Sequence, residues 1–259
     1  MCLILFAWDT HPDYRLILAA NRDEFYQRPT LPANFWEEQP NLLAGKDLQA
    51  GGTWLGMTQE GRFSAITNYR DPEAIIKDAP TRGNLTLDYL TGHSSPEHYL
   101  ENLPHEPSLY NGFNLLVGTF EQLYYYSNKE GVPLRLPPGY YGLSNHLLNT
   151  NWPKVTKGRH QLQEIIQQHR VFATPLLDML YDTEMAPDSQ LPQTGVGLEM
   201  ERQLSPKFIK MERYGTRCST VLTIDRKKTV MFTERTYTPG SQQYQETSHS
   251  FNLAVTEVI

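Results

Sequence analysis

Cysteine is scarce in this chain, with only Cys2 and Cys218 among 259 residues. Two thiols supply no disulfide framework and fit a reducing compartment, so a cytoplasmic setting is expected. Basic residues are also short: 23 Lys and Arg stand against 29 Asp and Glu, a net charge of −6. That balance excludes counterion-driven nucleic-acid binding and disfavours anionic membrane surfaces. No apolar run approaches the roughly 20 residues that cross a bilayer, so no integral membrane segment is expected. The apolar opening from Cys2 to Trp8 has no basic flank and stops at Asp9, unlike a signal peptide. There is no GxxxxGK[ST] phosphate loop, and Gly195-Val196-Gly197 lies in a loop without the strand and helix of a dinucleotide fingerprint. His93, His98 and His105 lack the spacing of a compact ligand pair, so no metal and no cofactor is expected.

What is present is a 39% hydrophobic, 11% aromatic chain with 15 Tyr, enough for a substantial core. Cys2 to Trp8 and Tyr14 to Ala20 read as a hairpin of two nearly all-apolar strands across a polar turn. Asn21 to Arg28 follow as a strand end and a Pro-bearing loop with Pro29 and Pro32. Gly51-Gly52 then mark a tight turn, Thr53 to Met57 and Arg62 to Thr67 a second hairpin ending at Asn68. Short helices are expected over 84–91 and 96–103, the latter capped by Ser95 with Pro96 at its first position. Strands resume over Phe113 to Thr119, Gln122 to Ser127 and Tyr140 to Ser144. Val155, Leu162, Ile165, Ile166 and His169 form the stripe of a helix over Lys154 to His169, and a second helix spans Pro175 to Tyr181. Asp182 to Gln203, rich in Pro, Gly and acids, reads as a long loop. Thr220 to Asp225, Thr229 to Glu234 and Tyr244 to Asn252 read as closing strands. Strands at both ends with helices grouped between them indicate an α+β layered fold, and without internal repeat or linker residues 1–259 are expected to form one domain.

Cys2 carries the clearest chemistry. Removal of Met1 would place a thiol and a free α-amine on one residue. An α-amine with a pKa of about 7.7 to 8 can take the thiol proton near neutrality. A packed cysteine in an apolar strand is the alternative. Asn21-Arg22-Asp23-Glu24 close the partner strand, where the hairpin return can bring them beside Cys2. There an Asp can orient an amine and an Arg can hold a thiolate or a substrate carboxylate; a solvated strand end with local ion pairs would look the same. Cys218 reads as a packed thiol and His146 as the histidine nearest the proposed cleft.

The segments Met1-Cys2, Leu16 to Phe25 with its central Asn21-Arg22-Asp23-Glu24, and Gly51-Gly52-Thr53-Trp54-Leu55-Gly56 resemble the NRDE family, known in eukaryotes as the transport and Golgi organisation 2 family. The resemblance continues through Thr67-Asn68-Tyr69, Tyr110 to Leu115, Tyr141 to Asn145, Tyr214-Gly215-Thr216-Arg217 and Phe232 to Arg235, and so covers the chain from end to end. That family is similar to the N-terminal-nucleophile cysteine hydrolases of the penicillin acylase and bile-salt hydrolase group. The resemblance implies a four-layer αββα sandwich. It also implies Cys2 as nucleophile, Asp23 as partner of its amine, Asn68 and Asn145 as oxyanion donors, and Arg217 near the nucleophile. Those amidases carry Arg-Asn-x-Asp, whereas here Asn21 precedes Arg22 and the spacing to Asp23 is shorter. Taken from the residues alone, Asn68 and Asn145 are equally turn formers. The expected activity is hydrolysis of a linear amide or thioester. The rival class, implied by eukaryotic members associated with secretory organisation, lipid homeostasis and haem trafficking, is a binding or carrier protein for a lipid, acyl compound or haem. A small-molecule ligand with an apolar part is expected on either reading, and on the carrier reading a pocket lined by Tyr and Phe suits an acyl chain or a porphyrin; no Cys-Pro haem motif and no clear axial pair is present.

Overall fold

The fold is that of a computed structural model and is described for residues 2–103, 109–239, 241 and 243–254. The strands are β1 (Cys2–Trp8), β2 (Tyr14–Phe25), β3 (Thr30–Phe35), β4 (Leu42–Asp47), β5 (Leu55–Thr58), β6 (Phe63–Asn68), β7 (Phe113–Gly118), β8 (Leu123–Ser127), β9 (Leu134–Arg135), β10 (Gly139–Leu143), β11 (Tyr214–Asp225), β12 (Thr229–Tyr237) and β13 (Tyr244–Asn252). The helices are α1 (Gly83–Thr91), α2 (Pro96–Glu101), α3 (Pro153–Gln167), α4 (Ala173–Leu180) and α5 (Leu198–Leu204).

Two antiparallel sheets form the middle layers. One runs β10-β1-β2-β11-β12-β13, the other β3-β4-β5-β6-β7-β8-β9. The two-residue period of β1 explains the layering. Ile4, Phe6 and Trp8 join Leu18, Leu222 and Phe232 against Met57, Phe63, Leu116 and Tyr125 of the second sheet, forming the inter-sheet core. Leu3, Leu5 and Ala7 point the opposite way and pack with Val155 and Leu162 of α3 and Leu176 and Leu180 of α4. On the far side, Leu85, Tyr89 and Leu100 of α1 and α2 pack on Leu115, Val117 and Tyr126. The order helix, sheet, sheet, helix is the αββα sandwich expected.

Several expected elements change. β2 does not end at Ala20 but runs on to Phe25. Asn21, Arg22 and Asp23 are buried there because the strand is paired on both sides, with β1 through Cys2↔Arg22 and with β11 through Cys218↔Arg22 and Thr216↔Asp23. The Pro-bearing segment after it is partly strand: Pro32 lies in β3, an edge strand, at an irregularity between Leu31 and Asn34, where a missing N–H is tolerated. The long loop from Asp182 to Gln203 ends in α5, whose Glu201 is buried. β11 begins at Tyr214, six residues ahead of Thr220, so Cys218 sits within the strand and not at its head. The main helix stops at Gln167; His169 follows it with φ +55° outside the stripe. Ser95 caps α2 as expected, accepting the His98 N–H at 3.2 Å, and β1 and β13 have the expected bounds.

Candidate functional site

Cys2 opens β1 on the same face as Ile4 and Phe6, so its side chain lies at one end of the inter-sheet space. A cavity of about 360 Å³ opens there. Its walls come from Cys2, Arg22 and Asp23 of the first sheet, from Gly52, Trp54, Ile66 and Asn68 around the second, and from Pro80 to Gly83 leading into α1. Gly52 is required by packing: a Cβ there would lie 2.6 Å from the Gly83 carbonyl carbon, and α1 could not start against this wall. Burial pushes the Cys2 thiol above its ordinary pKa, nearby Asp23 adds to the rise and Arg22 opposes it. A thiol in that state is protonated at neutral pH and needs a base to react.

Asp23 is 1% exposed. Its Oδ1 accepts the Thr216 hydroxyl at 2.6 Å, and Thr216 Oγ1 in turn accepts the Ile209 N–H at 2.9 Å. Its backbone carbonyl takes the Tyr214 hydroxyl at 3.0 Å. Burial raises the Asp23 pKa; Lys154 and the Thr216 hydrogen bond work against that rise. Lys154, in the first turn of α3, is 4% exposed and donates to the Leu204 carbonyl at 2.9 Å, at the end of α5. Burial brings its pKa down to about 8 against the attraction of Asp23.

Arg22 stacks on Trp54, 4.1 Å from guanidinium to ring centroid, and approaches Asp47 at 3.5 Å. Asp47 also receives Arg28 at 2.7 Å and, through its other oxygen, the Gln49 and Ala50 N–H groups of the Gly51 turn, where φ is +76°. Asn68 ends β6 and lines the cavity. Its carbonyl accepts the Asn145 amide at 2.8 Å. Asn145 itself is fully buried, accepts from Ser144, and does not line the cavity. Arg217 does not line it either: it sits at the bulge between Thr216 and Cys218 and ties down the turn after β2, donating to the Phe25 and Arg28 carbonyls, both at 2.9 Å. The six expected residues thus separate into Cys2, Arg22, Asp23 and Asn68 in the wall and Asn145 and Arg217 behind it. His146 bonds Tyr69 at 2.8 Å and Thr150 at 3.0 Å, outside the wall. Cys218 is buried, and burial lifts its thiol pKa well up.

Met1 and His105 lie outside the described residues. Among the described residues, no group of three or more His, Cys, Asp or Glu is placed to hold a metal ion, and no helix is long and apolar enough to cross a membrane. The Tyr- and Phe-lined pocket that suits the carrier reading is not what surrounds Cys2. The lining carries Arg22, Arg28 and Arg82 with Asp23, Glu24 and Asp47, and its apolar wall is Trp54 and Ile66. The tyrosines are spent instead in the cores, as Tyr89, Tyr125 and Tyr126 are. Arg82 and Lys154 escaped sequence reasoning. Lys154 had a local signal, a charge one helical turn before Gly158 and two before Leu162 on the buried face of α3; Arg82 had none.

The segments that meet here, from Cys2 through the Asn21 to Glu24 tetrapeptide to Tyr214-Gly215-Thr216-Arg217, fall within one family model: residues 1–239 match Transport and Golgi organisation 2. The chain belongs to that family. It is 37% identical to the Transport and Golgi organization 2 homolog of Mus musculus over 279 aligned positions, covering 98% of this chain and 99% of that one. It is 30% identical to Transport and Golgi organization protein 2 of Drosophila melanogaster, covering 92% and 93%. Among solved structures, a variant of conjugated bile acid hydrolase from Clostridium perfringens is similar over 100% of both chains at 11% identity and a TM-score of 0.48. The N-acylethanolamine-hydrolyzing acid amidase ortholog of Caenorhabditis elegans is similar over 86% of this chain and 92% of that one, at 9% identity and a TM-score of 0.41.

Proposed function

We propose that this chain is an N-terminal-nucleophile-type hydrolase that cleaves a linear amide, or a thioester, through Cys2. The observation that carries the reading is the position of Cys2 at the cavity wall, with buried Asp23 one step beyond its paired residue on the adjacent strand. Once Met1 is removed, the new α-amine is the base that the raised thiol lacks, and Asp23, held by Thr216, orients it. The amine takes the thiol proton while Sγ bonds to the carbonyl carbon. The developing oxyanion meets the Asn68 side-chain amide, a contribution worth roughly 10²- to 10³-fold in rate for such donors. Collapse breaks the C–N bond, and the α-ammonium returns its proton to the departing nitrogen. Water then adds to the thioester, the same amine takes its proton, and the acid leaves as the S–C bond breaks and the thiol is restored. Asn145 and Arg217 act as positioning residues, the first through the Asn68 carbonyl and the second through the turn carrying Arg28.

A second reading, a binding or carrier protein on the same fold, rests on the raised thiol: without a free amine beside it, Cys2 stays mostly protonated and a poor nucleophile at neutral pH. Intact mass and alkylation separate the two. The hydrolase reading expects purified protein beginning at Cys2, modified there by iodoacetamide faster than at buried Cys218, and labelled by an acyl probe that Cys2→Ala does not take up. Retained Met1 with an unreactive Cys2 would overturn it.

A further inference from the structure

We propose that Arg82 makes the Cys2 cavity selective for a substrate bearing a single carboxylate, so that the amide cleaved is an anionic one. The inference rests on the hydrolase reading for the reaction, but the anion recognition itself does not need turnover.

Three arginines line the cavity, and they are not equivalent. Arg28 and Arg22 share Asp47, at 2.7 and 3.5 Å. Arg82 forms no ion pair among the described residues; its Nη1 donates to the Gly112 carbonyl at 2.9 Å. The guanidinium is half-buried, and burial lowers its pKa, with Glu24 and Cys2 as the groups pulling it back up, which puts it in the electrostatic reach of the nucleophile. Arg22, stacked on Trp54 and 6% exposed, is committed to the wall, which leaves Arg82 as the cavity's arginine without a carboxylate partner among the described residues. Arg82 is also the residue immediately before α1, whose first residue, Gly83, lines the cavity, so the positive end of that helix adds to the field. A carboxylate satisfies a guanidinium fork with two parallel charge-assisted bonds. The charge count limits the guest to one negative charge, because Asp23, Glu24 and Asp47 stand in the same wall and would repel a dianion.

Iodoacetate and iodoacetamide read this directly. In both, the Cys2 thiolate forms an S–C bond as C–I breaks and iodide leaves; only iodoacetate carries the carboxylate. Second-order rates at Cys2 in the full chain, followed by mass, are compared for wild type, Arg82→Gln and Arg82→Lys. The iodoacetate-to-iodoacetamide ratio should fall roughly tenfold in Arg82→Gln, the effect of losing one charge-assisted hydrogen bond, and less in Arg82→Lys. Far-UV circular dichroism and the melting temperature check that Arg82→Gln keeps its fold, and the ratio cancels the change in Cys2 thiolate population that both reagents share. An unchanged ratio overturns the proposal. N-acetylglycine should protect Cys2 better than inorganic phosphate does; the reverse order overturns the single carboxylate. If no amide is turned over and the ratio still falls, the hydrolase reading fails and the anion site stands. If Cys2 reacts with neither reagent, thermal stabilisation by N-acetylglycine decides: its presence in wild type and loss in Arg82→Gln supports the site, and its absence from wild type overturns it.

Discussion

Replacing Arg70 by Met should unfold this protein much more readily, although Arg70 touches neither Cys2 nor the cavity. Its Nη1 lies 2.7 Å from Glu201 Oε2, with the two side chains 6% and 4% exposed. Glu201 Oε1 is held by the Thr194 N–H at 2.8 Å and hydroxyl at 2.6 Å, so this one carboxylate ties α5 to the end of β6. Two unit charges about 4 Å apart attract by roughly 4 kcal/mol at an effective dielectric of about 20. Removing one partner of a buried pair costs about 3 to 5 kcal/mol, because the other charge is stranded. For a chain of this size, at about 2 °C per kcal/mol, that corresponds to a melting temperature lower by about 6 to 10 °C. Arg70 is itself imperfectly satisfied: Nε and Nη2 are buried without partners. Adding Glu201→Gln, which keeps the acceptor for Thr194, should therefore recover most of the loss. Urea unfolding followed by tryptophan fluorescence measures both, and 1 M salt should leave the difference in place because the pair is shielded from solvent. A loss below about 1 kcal/mol in Arg70→Met, or a double variant no more stable than the single one, would refute the reasoning.

Lys154 predicts a pH signature. The unfolded chain holds that proton to about 10.5 and the folded chain releases it near 8, so between those values the unfolded state binds more protons and stability rises with pH. The rise is about 1.4 kcal/mol per pH unit at most. Subtracting the profile of Lys154→Met removes the opposing ionisation of the tyrosines; parallel profiles would sink the assignment. Gly52→Ala drives a Cβ into the Gly83 backbone, and should cost about 1 to 3 kcal/mol and slow Cys2 alkylation by disturbing the cavity wall, both read on one sample. An alanine variant as stable and as reactive as wild type would show that α1 can shift freely.

Much of the sandwich was legible because apolar alternation is strongest where sheets are buried. β1 and β13 were readable to the residue, and the stripe of Val155, Leu162 and Ile166 marked α3. The failures have a shared cause. Asn21, Arg22 and Asp23 look like a strand end, since charge usually marks solvent, yet pairing on both sides and acceptors such as the Leu180 and Lys207 carbonyls for Asn21 let them stay inside. α5 hid in a Pro- and Gly-rich stretch because its stability comes from one buried ion pair, not from a hydrophobic stripe. For the site, Cys2, Asp23 and Asn68 carried local signals at strand termini. Asn145 carried the same signal but spends its amide on the Asn68 carbonyl. Arg82 becomes visible only when the turn from 79 to 83 folds over the end of both sheets.

The row Cys2, Arg22, Cys218 across three neighbouring strands has a consequence for oxidative stress. With Arg22 between them, the two thiols are two strand spacings apart, about 9.5 Å between backbones. A disulfide tolerates about 7 Å at most. Cys218 therefore cannot serve as a resolving partner for Cys2 within this fold. Oxidation of Cys2 would stop at a sulfenic acid or a mixed disulfide with a small thiol, and recovery would depend on reductant arriving from outside through the cavity that Cys2 lines.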